Sequence, residues 1–368
     1  MSNDYTSIVR FSTFDELKNI ESEWDELYLL SEINSHYLTF EFVQLWYSCF
    51  ATPDQIRIVR IVEDKLTIGF LPLVMSSSKG FRTLSSLTNY HCMHCGALVR
   101  KGYGDVFQTF FLKQLFETYH CWDILKFSYS YDFDQFPGLL SAEKLNAEKI
   151  CWLRQFQPTY SISPDLGFDI WVKKQLSKKT YKTYKDLLNK YKKSSSWSLQ
   201  QFCGQDALAQ WNTFLELENS GWKGTGGSSI KKLPENYSRY YQALVAELAE
   251  RGDLTISLLE YENKYIAAAF MYREGDILHV FKAGFDEDFR HLSPSNMLLM
   301  ENIKIHSELA EPPKILHLFP GDFGYKDKYA STEIQCSFTQ IFNNNFRGKI
   351  AYSYRKFKNL VKAKLPNR

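Results

Sequence analysis

The sequence predicts an α/β chain built as two tandem units, each a mixed, mostly antiparallel sheet flanked by helices. Three observations carry that expectation. The chain has 368 residues, room for two domains at about 150 residues each. Its hydrophobic content of 44%, with 28 Phe and 23 Tyr, is enough for two cores. One order of elements is legible twice: strand, two helices, three antiparallel strands, loop, helix, strand. This is an internal repeat of pattern, not of residue identity.

In the first half, residues 7–12 read as a short strand centred on Val9, and Phe14–Leu30 and Glu41–Phe50 as helices. IRIVRIVE and LTIGFLPLV form a hairpin through Asp64-Lys65. FRTLSSLT and CGALV follow as strands. Asp105–Tyr119 is a helix with Phe107, Phe111, Leu112, Leu115 and Phe116 on its apolar side, and DILKFSY from Asp123 is a buried strand.

In the second half, Ser198–Phe202 is a strand, and Asp206–Asn219 and Glu235–Glu250 are helices. LTISLLEYE and YIAAAFMYRE are strands joined at Asn263-Lys264, and DILHVFKAGFD is the third. Ser293 then offers a helix N-cap and Pro294 the favoured first helical residue. That helix runs to Ala310. Glu301, Lys304 and Glu308 make its narrow charged face, so most of it is buried. KILHLF closes the unit. The expected divisions are 1–165, an N-terminal domain; 166–195, a basic linker helix; 196–346, a C-terminal domain; and 347–368, a basic C-terminal helix.

Net charge is +2, so no global field points to nucleic acid. The opening MSNDYTSIVR carries an acid and no apolar run, unlike a signal peptide. The longest apolar stretches are about eight residues, against roughly 20 for a membrane span. Seven cysteines without a regular framework fit a reducing cytoplasm. Positive charge is concentrated in two places. Residues 173–193 hold nine Lys and one Asp, with Tyr181, Tyr184, Leu188 and Tyr191 at helical spacing. Residues 347–368 hold eight basic residues and no acid, with Tyr354, Phe357 and Val361 as an apolar edge. Such helices dock on their own domain or meet an anionic partner, among them a membrane surface, a phosphorylated lipid carrier or an acidic glycan. The expected location is the cytoplasm, either free or peripheral to the inner face of the membrane.

Chemistry is concentrated in the second half. The helix beginning at Pro294 has no acidic residue in its first turn, and Arg290 and His291 stand just outside it. Its free N–H groups and dipole suit an anion, phosphate above all. PGDFGYKDKY places Asp322, Tyr325, Lys326 and Tyr329 after the last strand of the unit, where ligands bind in open α/β sheets. Lys282 and His279 lie on the neighbouring strand, on opposite faces by alternation. Acyl transfer needs a base, a donor to the carbonyl oxygen and an acid for the leaving group; Asp or His, backbone N–H and Tyr supply these. No GxSxG elbow or Ser-His-Asp order appears, so a serine acyl-enzyme is not indicated. SGWKGTGGSS, with Trp222 and Lys223, is a flexible loop able to close over a ligand, but it lacks the Lys-Ser/Thr ending of a P-loop. HCMHC at His91–Cys95 has no second ligand pair at metal-site spacing, so buried thiols are the expectation and no metal is implied.

Residues from about Leu215 to Ser331 resemble the acetyltransferase domain of bacterial cellulose-biosynthesis-type acyltransferases, within the GNAT superfamily. The matching pieces are GWK at Gly221, YYQALVAELAERG, YIAAAFMY, FKAGFDEDFRHLSPS and GDFGYKDKY. Those proteins have tandem GNAT-like domains, as do Fem-type peptidoglycan aminoacyl transferases. The first half is similar only in pattern. The resemblance implies an acyltransferase with acyl-CoA, most simply acetyl-CoA, as co-substrate. Its pyrophosphate would be held by Arg290, His291, Ser293, Ser295 and Asn296. Ser295 stands where the family usually has Gly. Lys282, Asp322, Tyr325 and Lys326 become the catalytic candidates, with Tyr325 the acid for the thiolate. Trp222, Lys223 and Asp286 become substrate-binding, and the first unit a degenerate acceptor-side domain. The implied reaction moves an acyl group to an amine or hydroxyl of a sugar or lipid-linked sugar in bacterial surface polysaccharide synthesis. The alternatives are a Fem-type enzyme using aminoacyl-tRNA and a non-catalytic tandem module binding glycan or membrane.

Overall fold

The computed structural model describes residues 5–9, 13–31, 35–131, 141–194, 196–320, 326–330 and 332–364. Two compact units are formed, Met1–Gln157 with Gln335–Arg368, and Pro158–Ile334.

In chain order the first unit contributes β1 (Tyr5–Val9), α1 (Glu21–Leu29), α2 (Phe40–Phe50), β2 (Ile56–Glu63), β3 (Leu66–Ser78), β4 (Phe81–Ser86), β5 (Leu98–Val99), α3 (Gly104–Lys113), β6 (Ile124–Tyr131) and α4 (Ala142–Ala147). Strands β1 to β4 pair antiparallel in sequence, and β6 joins β4 in parallel. The β2–β3 hairpin turns on Asp64 and Lys65 at φ 46° and 71°, the left-handed pair that a two-residue turn requires. Phe107, Phe111 and Leu112 of α3 cover Val59, Ile61, Leu71 and Leu73 of the sheet. Asp123, at the start of β6, is fully buried and accepts from the Arg82 amide at 2.9 Å and its guanidinium at 3.0 Å.

Strand β7 (Cys151–Ile162) leads to the second unit: α5 (Phe168–Gln175), α6 (Lys178–Tyr191), β8 (Trp197–Cys203), α7 (Gly204–Ala209), α8 (Trp211–Ser220), α9 (Trp222–Thr225), α10 (Glu235–Glu250), β9 (Leu254–Tyr261), β10 (Lys264–Glu274), β11 (Ile277–Phe285), α11 (Pro294–Ser307), β12 (Ile315–Leu318) and α12 (Lys326–Tyr329). Strands β8 to β11 pair antiparallel in sequence, and β12 joins β11 in parallel. This repeats the ladder of the first unit pair for pair, so the repeat of element order is a repeat of topology. Residues from Gln335 in β13 (Thr332–Phe342), with α13 (Phe346–Lys364), then complete the first unit.

Each ladder gains a further antiparallel strand, β13 on β6 and β7 on β12. Neither was expected. Nine of the twelve residues of β7 are half-buried or exposed, which blurs its alternation. Residues 335–346, grouped above with the second domain, therefore lie in the first unit. The basic segment expected as a linker is α5 and α6, seated in the second unit: Trp171, Tyr184, Leu187 and Tyr191 share its core with Leu298 and Ile303 of α11. The charged face expected for α11 is also revised. Glu301 is buried and accepts from the Tyr184 hydroxyl at 2.7 Å, while the helix ends at Ser307 and leaves Leu309 exposed.

Candidate active site

The site is organised by β11. Its register with β10 shifts between Phe270 and Met271, so His279 lies opposite Tyr272, and Lys282 opposite Phe270. The extra residue puts His279 and Lys282 on one face, where simple alternation separates them. His279 stacks on Tyr272 at 4.7 Å between ring centroids. The Lys282 Nζ stands 5.7 Å from the Tyr241 ring of α10 and 5.9 Å from that of Phe281.

Strands β11 and β12 pair over only three residues, 277–279 with 315–317. Beyond them, the edge of β11 facing away from β10 is satisfied by side chains from the α8–α9 turn. Lys223 Nζ donates to the Ala283 carbonyl at 2.7 Å, and Ser220 Oγ to the Phe285 carbonyl at 2.9 Å. Helix α8 comes unusually close to the strand, because Gly284 lacks a side chain: a Cβ there would stand 2.4 Å from Glu218 Cα.

Glu218 occupies that contact. It is 1% exposed, on the apolar face of α8 with Trp211 and Phe214. Its Oε2 accepts from the Ile230 amide at 2.9 Å. Its Oε1 is buried without a hydrogen bond, 3.7 Å from Lys223 Nζ. Burial pushes Lys223 down, with Glu218 opposing. Lys282 is pushed down to about 8, by burial first and then by the Lys223 cation, with Glu218 again opposing. A buried carboxylate, one oxygen of which makes no hydrogen bond, thus lies 3.7 Å from the Lys223 ammonium and within electrostatic reach of Lys282, whose pKa is drawn down to about 8. Sequence reasoning missed Glu218, Tyr241 and Gly284. The spacing of Trp211, Phe214 and Glu218, i, i+3 and i+7, was the available signal, a carboxylate on an apolar stripe.

The loop beyond β11 carries the expected anion-binding residues. Asp286 caps the turn Glu287–Leu292: Oδ1 accepts from the Asp288 amide at 3.1 Å and Oδ2 from Lys264 at 2.7 Å. Burial raises its carboxyl, but Lys264 and the Asp288 amide outweigh this and hold it low. Arg290 is exposed and paired with Glu287 at 2.6 Å. His291, Ser293 and Ser295 are exposed and Asn296 half-buried. Ser293 holds the expected N-cap position, but in the left-handed region at φ 47°, where it also closes the preceding turn and its hydroxyl makes no capping hydrogen bond. Pro294 does open α11, whose first turn has no acid. A Cβ on Gly221 would meet Glu287 Oε1 and the Phe285 carbonyl at 3.5 Å, so the α8–α9 turn lies against this loop.

Lys326 is buried, donates to the carbonyls of Leu318 and Phe319, and is pushed down to about 8 by burial. Thr159 Oγ1 shares the Leu318 carbonyl and meets His317 Nε2 at 3.1 Å. His317 Nδ1 meets His279 Nδ1 at 3.1 Å, and His279 Nε2 lies 3.1 Å from Glu274. His279 is thereby built into a buried polar chain. Asp322 and Tyr325 lie outside the described residues, as does the side chain of Trp222. In the first unit, Cys92 and Cys95 are buried, with Cys92 donating to the Leu87 carbonyl. Among the described residues no group of three or more His, Cys, Asp or Glu is arranged to hold a metal.

Parallel closure of an antiparallel ladder recurs in both units, and in the second a buried acid, Glu218, lies beside Lys223. A family model described as acetyltransferase (GNAT) domain matches residues 178–327, within that second unit. No curated protein matches the chain in sequence. Among solved structures, the chain is similar in fold to FemX, at 11% identity and TM-score 0.57, covering 92% of this chain and 98% of that one. It is also similar to a conserved protein of unknown function from Bacteroides thetaiotaomicron VPI-5482, at 9% identity and TM-score 0.51, covering 88% and 97%.

Proposed function

We propose that the chain is an acyltransferase moving an acyl group from acyl-CoA to an amine or hydroxyl of a sugar or lipid-linked sugar, in surface polysaccharide synthesis. The observation carrying this is the acetyltransferase (GNAT) match to residues 178–327, which contain Glu218, Lys223, Lys282 and α11 together. An acyl-CoA supplies a thioester whose carbonyl carbon is the electrophile. The N-terminus of α11, free of acid, suits its pyrophosphate, with Arg290, His291, Ser293, Ser295 and Asn296 around it. Glu218 takes the proton of the acceptor through Oε1. Lys282 and Lys223 hold negative charge that develops on the transferred carbonyl oxygen. Asp322, Tyr325 and Lys326 keep their roles from the resemblance alone, Tyr325 as the acid for the thiolate and Trp222 and Asp286 beside the acceptor. The sugar acceptor rests on the resemblance of residues from about Leu215 to Ser331 to cellulose-biosynthesis-type enzymes alone.

The test is calorimetric titration of the purified chain with acetyl-CoA and longer acyl-CoAs, followed by thiol-release assays with amino sugars. Binding weakened by Arg290→Ala with Ser293→Ala, and turnover lost in Glu218→Gln with binding kept, is the expected result. A folded protein that binds no acyl-CoA overturns the donor assignment. The likeness to FemX along nearly the whole of both chains favours as second reading a Fem-type transferase using aminoacyl-tRNA. Activity abolished by ribonuclease and steeply reduced by salt distinguishes it.

A further inference from the structure

Of the two basic helices, only α13 leaves its apolar stripe uncovered. In α6, Tyr184, Leu187 and Tyr191 are buried in the second unit, and Tyr181 and Leu188 pack against the same core. In α13, Phe346, Ile350, Tyr354, Phe357, Leu360 and Val361 are all exposed, from 39% at Val361 to 79% at Phe346. At ~100° per residue they fall within an arc of about 120°. The other side of the helix is seated on the first unit, where Ala351 and Tyr352 pack with Ile124 and Phe342. The stripe is therefore presented by a fixed helix.

Charge frames it. Lys349 and Lys356 flank one side of the arc. Lys358 and Arg347, which also meets Asp123 at 3.4 Å, flank the other. The helix contains no acidic residue.

We propose that α13 docks the protein on an anionic lipid surface, its apolar stripe among the acyl chains near the headgroups and its flanking cations on lipid phosphates. Charge complementarity selects this occupant. A second copy would bring cations against cations with no carboxylate to pair. A nucleic acid would meet the cations but leave six apolar side chains in water. Among the described residues no helix is long and apolar enough to cross a membrane, so α13 lies on the surface. This inference stands apart from the reaction proposed above.

Flotation of the full chain with vesicles of phosphatidylcholine, with and without phosphatidylglycerol, tests it. The protein floats only with phosphatidylglycerol, and less as salt rises. Each cation removed weakens binding roughly fivefold, so Lys349→Gln with Lys356→Gln weakens it roughly 25-fold. Phe357→Ser with Leu360→Ser releases the protein, while its melting curve stays that of the parent because both side chains are exposed. Absence of flotation, or flotation indifferent to both pairs, overturns the proposal. So does a parent dimer that does not float and that the serine pair dissociates, which assigns the stripe to a second copy.

Discussion

Substitution of Gly284 tests the contact on which the candidate site depends. A Cβ added to Gly284 would stand 2.4 Å from Glu218 Cα and 2.7 Å from both Glu218 N and the Leu217 carbonyl. All three are backbone atoms, so no rotamer relieves the clash. Ordinary carbon contact begins near 3.5 Å, so α8 must withdraw by about 1 Å. Overpacking of this kind costs about 1–3 kcal/mol. The reduced freedom of the unfolded chain returns about 0.4–1 kcal/mol. A net loss of about 1–2 kcal/mol lowers the melting temperature of a unit this size by roughly 2–8 °C. Differential scanning calorimetry of Gly284→Ala measures it, and Gly284→Val, with two more carbons in the same gap, falls further. The withdrawal also draws Glu218 from Lys282, so turnover drops in the alanine variant below its melting range. Equal melting temperatures for parent, Ala and Val refute the close approach of α8 to β11.

Three further outcomes follow from the charged groups. Turnover that needs the Lys282 ammonium declines above pH about 8, and in Glu218→Gln, which removes the carboxylate supporting that ammonium, the Lys282 titration followed by NMR of isotope-labelled lysine moves to lower pH; an unchanged titration contradicts the electrostatic link. His306, buried on α11 and 3.1 Å from Gln201, is pushed down to about 4 by burial and then by Arg273. The unfolded chain therefore binds a proton below pH about 6.5 that the folded one refuses until about 4, so stability is full above that window and falls by about 3 kcal/mol across it on acidification. Urea midpoints across this range fall less steeply in His306→Asn; identical slopes in parent and variant would rule the burial out. In the first unit, Asp123→Asn leaves Arg82 and Arg347 without their buried carboxylate and costs on the order of 3 kcal/mol by urea denaturation. A loss below 0.5 kcal/mol, within the range of an ordinary surface substitution, would show that the carboxylate is not structural.

Local pattern alone determined most of the elements, β7 and β13 excepted. The hairpin at Asp64-Lys65, the alternating strands of both halves, and the Pro294 start of α11 are written in nearest-neighbour preferences, and the repeated order followed from them. The acid-free helix start beside Arg290 was legible for the same reason. What tertiary structure decided is what depends on partners distant in sequence. A single bulge in β11 turned Lys282 to the face of His279, because one extra residue reverses every later side chain. Burial sent Glu301 to Tyr184, more than a hundred residues away, and covered the stripe of α6 while leaving that of α13 open, although both helices carry the same kind of basic, amphipathic pattern. Glu218 became a chemical candidate only when the absence of a side chain at Gly284 let α8 descend onto the strand and closed water away from its carboxylate. Sequence sets which surfaces are apolar; which of them find a cover, and which charges lose their water, is fixed by packing.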